Sequence, residues 1–250
     1  MRSMILDKFK ASAIHLTISA IIIGVFLFLV YSIWYPYPLY VTEGLSEITI
    51  ILLGVDLVLG PIMTLILYRK DKKYLLLDLS IIIIIQFSAF VYGVNSIAEG
   101  RPVYLVFATD VFKTVSPNMI DINTLKDSTL RYSLFSKPIY IYATAPKDPK
   151  KRTRLMWSTL SGGKDIEQLP EYYQSYNKNI DKVMSKQFRY NNFLKKHPDL
   201  QNILISTLHK YKLTQANSAL FLLLGKKKET FVIIDLATGH IIDFINPAVL

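Results

Sequence analysis

The chain contains no cysteine. That excludes structural disulfides, thiolate catalysis and cysteine-held zinc. It also suits an oxidising compartment, where a stray thiol is a liability. Nucleotide signatures are missing too. Ser161-Gly162-Gly163-Lys164 lacks the leading glycine and the Ser/Thr of a P-loop, and there is no GxGxxG. The four histidines, His15, His197, His209 and His240, show no HExxH or other metal-ligand spacing. No GxSxG elbow is present. A triad assembled from distant residues stays open, but nothing points to a catalytic residue, a metal or a cofactor.

What the chain has in excess is apolar length at one end. Of its 250 residues 51% are hydrophobic, and the surplus sits in the first hundred. Three apolar stretches run at about Ala11–Trp34, Ile48–Tyr68 and Tyr74–Val94. Each has about 20 residues, enough to cross a hydrocarbon core about 30 Å thick. Helices are the form expected, since lipid offers no partner to free backbone groups. The first stretch has a rival reading as a cleaved signal peptide, given its basic start at Arg2, Lys8 and Lys10. Its apolar run is too long for that and no small-x-small site ends it. Instead it ends in Trp34-Tyr35-Pro36-Tyr37-Pro38, an interfacial aromatic belt with helix-stopping prolines. An uncleaved helix is the better reading.

Loop charge gives the orientation. The loop from Tyr35 to Glu47 has no Lys or Arg and carries Glu43 and Glu47. The next loop, Arg69-Lys70-Asp71-Lys72-Lys73, has four positive residues in five. The positive-inside rule then puts the N-terminus and this second loop in the cytoplasm. Three crossings place the rest of the chain outside. The expected division is a membrane domain over 1–95 and a soluble domain over 96–250, the latter large enough to bury its own core.

Two carboxylates fall within the apolar stretches. Asp56 lies twelve residues from Tyr68, about 18 Å deep at 1.5 Å per residue and so near the midplane. A charge there costs at least about 2.5–3.5 kcal/mol on insertion scales and commonly marks a functional site. A protonated Asp fixing helix packing is the bland alternative. Asp78 is near the cytoplasmic interface, where it can snorkel or pair with His15 at similar depth. Gly54 and Gly60 flank Asp56, and Gly60-Pro61 should loosen the ladder and kink the second helix. The candidate partner-binding residues are therefore Asp56, Gly54, Gly60, Pro61, Asp78 and His15. A kinked helix with a buried acid reads as a notch for another transmembrane helix.

The remainder reads as α+β. From Ser96 onward there are 22 Lys and Arg against 13 Asp and Glu, so about +9 of the net +10 belongs here. Such charge serves solubility, or it faces anionic lipid, nucleic acid or an acidic protein. Arg101–Ala108 and Val111–Val115 predict a hairpin turning at Thr109-Asp110. Residues 121–146 are ambiguous, with Ile139–Ala143 as a further strand. Lys147 to Arg154 reads as a basic loop with five positive charges, either a solvated face or a grip on phosphate or acidic protein. Helical spacing dominates from Lys164 to Tyr211: one stretch spans about Ile180–Leu194, and another carries the buried stripe Leu200, Ile203, Leu204, Thr207, Leu208 and Tyr211. Tyr172, Tyr173 and Tyr176 serve either core packing or stacking on a partner. Strands at Ala219–Leu224, Thr230–Ile234 and His240–Ile245, joined by short turns, predict an antiparallel meander. The expected domain has helices on one face of an antiparallel sheet.

Five segments together resemble a known family. Phe9 to His15, the Trp34-Tyr35-Pro36 block, Gly54 to Pro61 (Gly-Val-Asp-Leu-Val-Leu-Gly-Pro), Asp78 to Ser80 and Arg101 to Phe107 are similar to the type IV pilin accessory proteins of the TfpX/TfpZ kind. The likeness covers the membrane half and the first hairpin, and is looser after Pro117. It implies a bacterial inner-membrane protein with a periplasmic domain, assisting production or assembly of a cognate type IV pilin. Pilin and membrane lipid are the partners implied, with no enzyme activity, no cofactor and no nucleic acid. A small membrane enzyme or proton-linked transporter using Asp56, or an extracytoplasmic ligand sensor, are the alternative readings.

Overall fold

A computed structural model describes residues 2–70, 72–186 and 190–245. Asp71 of the basic loop, and residues 187–189 inside the predicted 180–194 helical stretch, lie outside the described residues. The chain forms two compact units: residues 1–32 with 45–99, and residues 33–44 with 100–250.

The first unit holds three helices long and apolar enough to cross a membrane, Met4–Trp34, Leu45–Leu67 and Leu75–Gly100. The first comprises α1 (Arg2–Leu29) and a π-helical end over Val30–Trp34. The second is built of α3 (Leu45–Leu53), a π-helical stretch over Gly54–Leu59 and α4 (Gly60–Leu67), and the third is α5 (Leu75–Gly100). They overrun the apolar stretches because flanking polar residues such as Lys8, Asn95 and Glu99 continue a helix without cost once they reach water. Asn95 Nδ2 donates to Glu99 Oε1 one turn on, at 3.1 Å.

The second unit takes in the connection between the first two helices, including the short α2 (Leu39–Thr42). Its body is a seven-stranded sheet in the order β4-β3-β1-β2-β5-β6-β7. The strands are β1 (Tyr104–Ala108), β2 (Val111–Val115), β3 (Ile139–Ala143), β4 (Tyr173–Ser175), β5 (Ser218–Leu224), β6 (Glu229–Asp235) and β7 (Ile241–Ile245). The predicted hairpin β1–β2 and meander β5–β6–β7 are both present and antiparallel. Thr109 turns the hairpin at φ 62°.

The sheet as a whole is mixed, not antiparallel as expected. β1 pairs with β3, and β2 with β5, in parallel. Turn chemistry reports only on neighbours in sequence, and these pairings join strands separated by long connections. All five residues of β1 are buried, as a central strand covered on both faces requires. Alternation divides them. Leu105 and Phe107 join Phe112, Phe221, Val232 and Ile234 in one core, which also buries Leu39 of α2. Tyr104, Val106 and Ala108 join Val115, Ile141 and Tyr173 in another. A third core packs Leu220, Phe231 and Ile233 against Phe193 of α8 (Tyr190–Lys196) and Leu204 and Leu208 of α9 (Gln201–Lys210).

Three local readings change. The expected basic loop is a helix, α6 (Pro149–Leu160), begun by Asp148, whose Oδ1 accepts from the Lys150 amide at 2.9 Å. The helical span from Lys164 is broken by 3₁₀ turns and by β4, leaving α7 (Ile180–Met184) as the α-helix between Lys164 and Lys186. Tyr173 and Tyr176 are core residues, the Tyr173 hydroxyl donating to Glu167 O and the Tyr176 hydroxyl to Gly239 O at 2.9 Å.

The 33–44 connection is strapped down inside the second unit. Trp34 Nε1 donates to Leu134 O at 2.7 Å, and the Arg101 guanidinium lies 5.0 Å over the Trp34 ring. Thr42 O accepts from the amides of Lys227 and Lys228 at 2.9 and 3.1 Å. The Glu43 side chain is 2% exposed and lies 3.9 Å from Lys226 Nζ, which also donates to Gly100 O at 2.8 Å. Burial pushes the Glu43 carboxyl above its ordinary range, against the pull of Thr114 and Lys226. The same burial lowers Lys226, against the pull of Glu43.

Candidate partner-binding site among the membrane helices

The second membrane helix is irregular where the sequence forces it to be. Pro61 has no N–H, and in a regular α-turn its ring would press on the carbonyl of Leu57. The ladder widens to a π-helical stretch over Gly54–Leu59, ending just before Gly60 and Pro61. Such insertions are a known way to relieve a helix and recur at functional sites. The expected loosening is thus a widened turn rather than a broken ladder. Asp56 lies inside it, midway between Leu45 and Leu67, and is 5% exposed.

Asp56 lines a cavity of about 660 Å³ walled by all three membrane helices. The first contributes His15, Ser19 and Ile23, the second Asp56 and Thr64, and the third Ile83, Gln86, Phe87 and Phe90. The wall is mostly apolar, so its polar atoms are informative. Asp56 Oδ2 and both polar atoms of the Gln86 amide are buried without a hydrogen-bond partner. An unsatisfied buried polar group costs about 1–3 kcal/mol.

Three polar contacts join the first two helices. Ser12 Oγ donates to Pro61 O at 2.8 Å, His15 Nδ1 and Thr64 Oγ1 share a hydrogen bond of 2.6 Å, and Lys8 Nζ donates to Ile66 O at 2.9 Å. Gly60 makes room for Gln86: a Cβ there would collide with the Gln86 side-chain amide. Gly54 plays no such part, because a Cβ there meets nothing within 4 Å.

Of the six candidate residues, the structure brings His15 and Asp56 to the cavity and places Gly60 and Pro61 in its supporting backbone. The expected His15–Asp78 pair does not form. His15 is taken by Thr64, and Asp78, in the first turn of α5, forms an ion pair with Lys72 of the preceding loop. A carboxylate is favoured at a helix N-terminus, and Lys72 reaches it there. Gln86 was not singled out by sequence reasoning. Its signal was available, as an amide directly after the run Ile81–Ile85 in a membrane helix.

Fold and site together define a membrane protein with three apolar helices followed by a domain of mixed sheet and helices; among the described residues no group of three or more His, Asp or Glu is placed to hold a metal. A family model described as "Fimbrial assembly protein FimB" matches residues 3–44. The fimbrial assembly proteins of serogroups I and E1 of Dichelobacter nodosus are each 29% identical over 180 residues, covering 70% of this chain and 69% of theirs. The fimbrial assembly protein of serogroups C1 and C2 of that organism is 35% identical over 118 residues, 46% of this chain and 90% of its own length. No solved structure matches. The chain belongs to the fimbrial assembly protein family.

Proposed function

We propose that this protein is an inner-membrane accessory factor in pilus assembly, acting as a chaperone for a cognate type IV pilin. The names of its relatives support the assembly role. The observation that carries the mechanism is the cavity in which one oxygen of Asp56 and both polar atoms of the Gln86 amide are buried without a hydrogen bond. Its apolar wall takes one face of an incoming transmembrane helix. Asp56 and Gln86 meet a hydrogen-bond donor or amine on that helix, an interaction strengthened by the low dielectric. The role is binding and release, with no chemical step. The N-terminus and the loop at Arg69–Lys73 face the cytoplasm, so the sheet domain is periplasmic and available to the pilin head.

The test is co-purification of the tagged full-length protein from native membranes. A pilin band supports this reading. A stoichiometric small molecule with no pilin overturns it in favour of a sensor or transporter.

A further inference from the structure

The helix α6 begins where its sequence says it should, with an Asp cap followed by Pro149 in the first turn. What it does next is unusual for a soluble domain. No residue of it is buried, and only Leu155 and Thr159 are half-buried. At about 100° per residue, Met156, Trp157 and Leu160 share a stripe on a different side of the helix from those two. Their exposures are 52%, 61% and 69%. One flank of the stripe, beside Trp157, carries Lys150, Arg154 and Lys151; Arg152 lies on the other edge next to Met156, Lys147 precedes the helix, and all five are exposed.

A tryptophan, a methionine and a leucine facing water beside five cations is the composition of a helix that lies in a membrane interface. There the apolar stripe enters the boundary of the acyl chains, the indole sits at headgroup level and the lysine stems reach outward to phosphate. An acidic protein would answer the charges but gives no account of an apolar stripe left in water. The chain's own connectivity favours lipid as well. β1 begins at Tyr104, a few residues after the third membrane helix ends at Gly100, so this domain is always tethered to a bilayer.

We propose that α6 is an interfacial foot that seats the soluble domain on anionic phospholipid. It works with the charges of both flank and cap region: each Lys or Arg near an anionic surface strengthens partitioning by about fivefold, and Trp157 anchors the contact. This does not depend on the pilin reading.

The full-length protein in nanodiscs tests it. The chain has two tryptophans. Trp34 is 4% exposed and hydrogen-bonded to Leu134, so quenching from solvent reports on Trp157. In discs of equal parts phosphatidylglycerol and phosphatidylcholine, acrylamide quenching should fall severalfold relative to pure phosphatidylcholine. Quenching by brominated lipid should exceed what Trp34, at the end of the first membrane helix, contributes, and Trp157→Phe should abolish both that excess and the lipid-dependent change in acrylamide quenching. The triple change of Lys150, Lys151 and Arg154 to Gln touches only exposed side chains. It should weaken the contact by about a hundredfold, from about fivefold per residue, and restore acrylamide access. Equal acrylamide quenching in the two lipids overturns the proposal, and so does protection that appears only when an acidic protein is added.

Discussion

Replacing Asp56 by leucine should make the isolated protein more stable and the working protein useless. Asp56 is 5% exposed and its Oδ2 has no partner. Leucine is bulkier than aspartate, but the adjoining cavity can take the added volume; it removes the unsatisfied oxygen and suits the apolar wall, so it should stabilise the membrane unit by about 1–3 kcal/mol. A residue kept for packing would behave in the opposite way. In nanodiscs, thermal unfolding of Asp56→Leu should shift upward. In cells the same variant should lose pilin co-purification and surface pili while the protein's abundance is unchanged. Asp56→Asn keeps shape and hydrogen-bonding capacity but removes the charge, and should lower piliation severalfold. A photo-crosslinker at Phe87, which lines the cavity and is 66% exposed, should capture pilin in native membranes with Asp56 intact. The reasoning fails if Asp56→Leu destabilises the protein or removes it from the membrane. It fails equally if Asp56→Asn piliates like wild type, because charge then has no role.

The other expectations concern topology and the sheet domain. Alkaline phosphatase fused after Gly100 should be active and fused after Lys73 inactive; the reverse would overturn the proposed orientation. Phe112, fully buried against Phe107, Phe221 and Tyr176, should cost about 3–5 kcal/mol on truncation to alanine, read as a lower thermal midpoint of the full-length protein by near-UV circular dichroism. The Glu43 carboxyl has a raised pKa through burial, so folding binds its proton more tightly and its favourable contribution is complete at low pH. That contribution is lost as pH rises through the folded-state value. Glu43→Gln should therefore match wild type in acid and become relatively more stable toward neutral pH; a constant difference across the range would refute the assignment.

Sequence made the three membrane helices plain because twenty apolar residues in a row have few other uses. It found six of the seven strands as well, since β-branched and aromatic runs between turn residues are local signals. Pairing was another matter. β1 beside β3 and β2 beside β5 are decided by core packing between distant segments, and no turn between neighbours announces them. β4, three residues long, was lost in a stretch read as helical. The α6 error was avoidable, since Asp148-Pro149 is a helix-start signal, but the density of charge suggested a solvated loop. The strap over residues 33–44 was read only as a membrane loop. Its Glu43 was noticed as a loop charge, and Lys226, on a turn almost two hundred residues later, carries no hint of the meeting. At the site, depth alone singled out Asp56. His15 was matched with Asp78 on depth, but depth says nothing about which neighbour is nearer.

The pattern of satisfied and unsatisfied groups gives the cavity its meaning. Lipid supplies no hydrophobic force between helices, so the first two are held by packing and by the bonds Ser12–Pro61, His15–Thr64 and Lys8–Ile66, each worth about 0.6 kcal/mol by analogy with measured membrane cases. All three bonds fall on α4, beyond the widened turn. Asp56, within that turn, and Gln86, across from Gly60, keep buried polar atoms without a hydrogen bond, and both belong to the same cavity wall. If these residues served only to join the three helices, the simplest arrangement would bond them to one another. They are instead kept apart in a space open to further side chains. That distribution is expected when the third partner of a polar contact arrives on another chain.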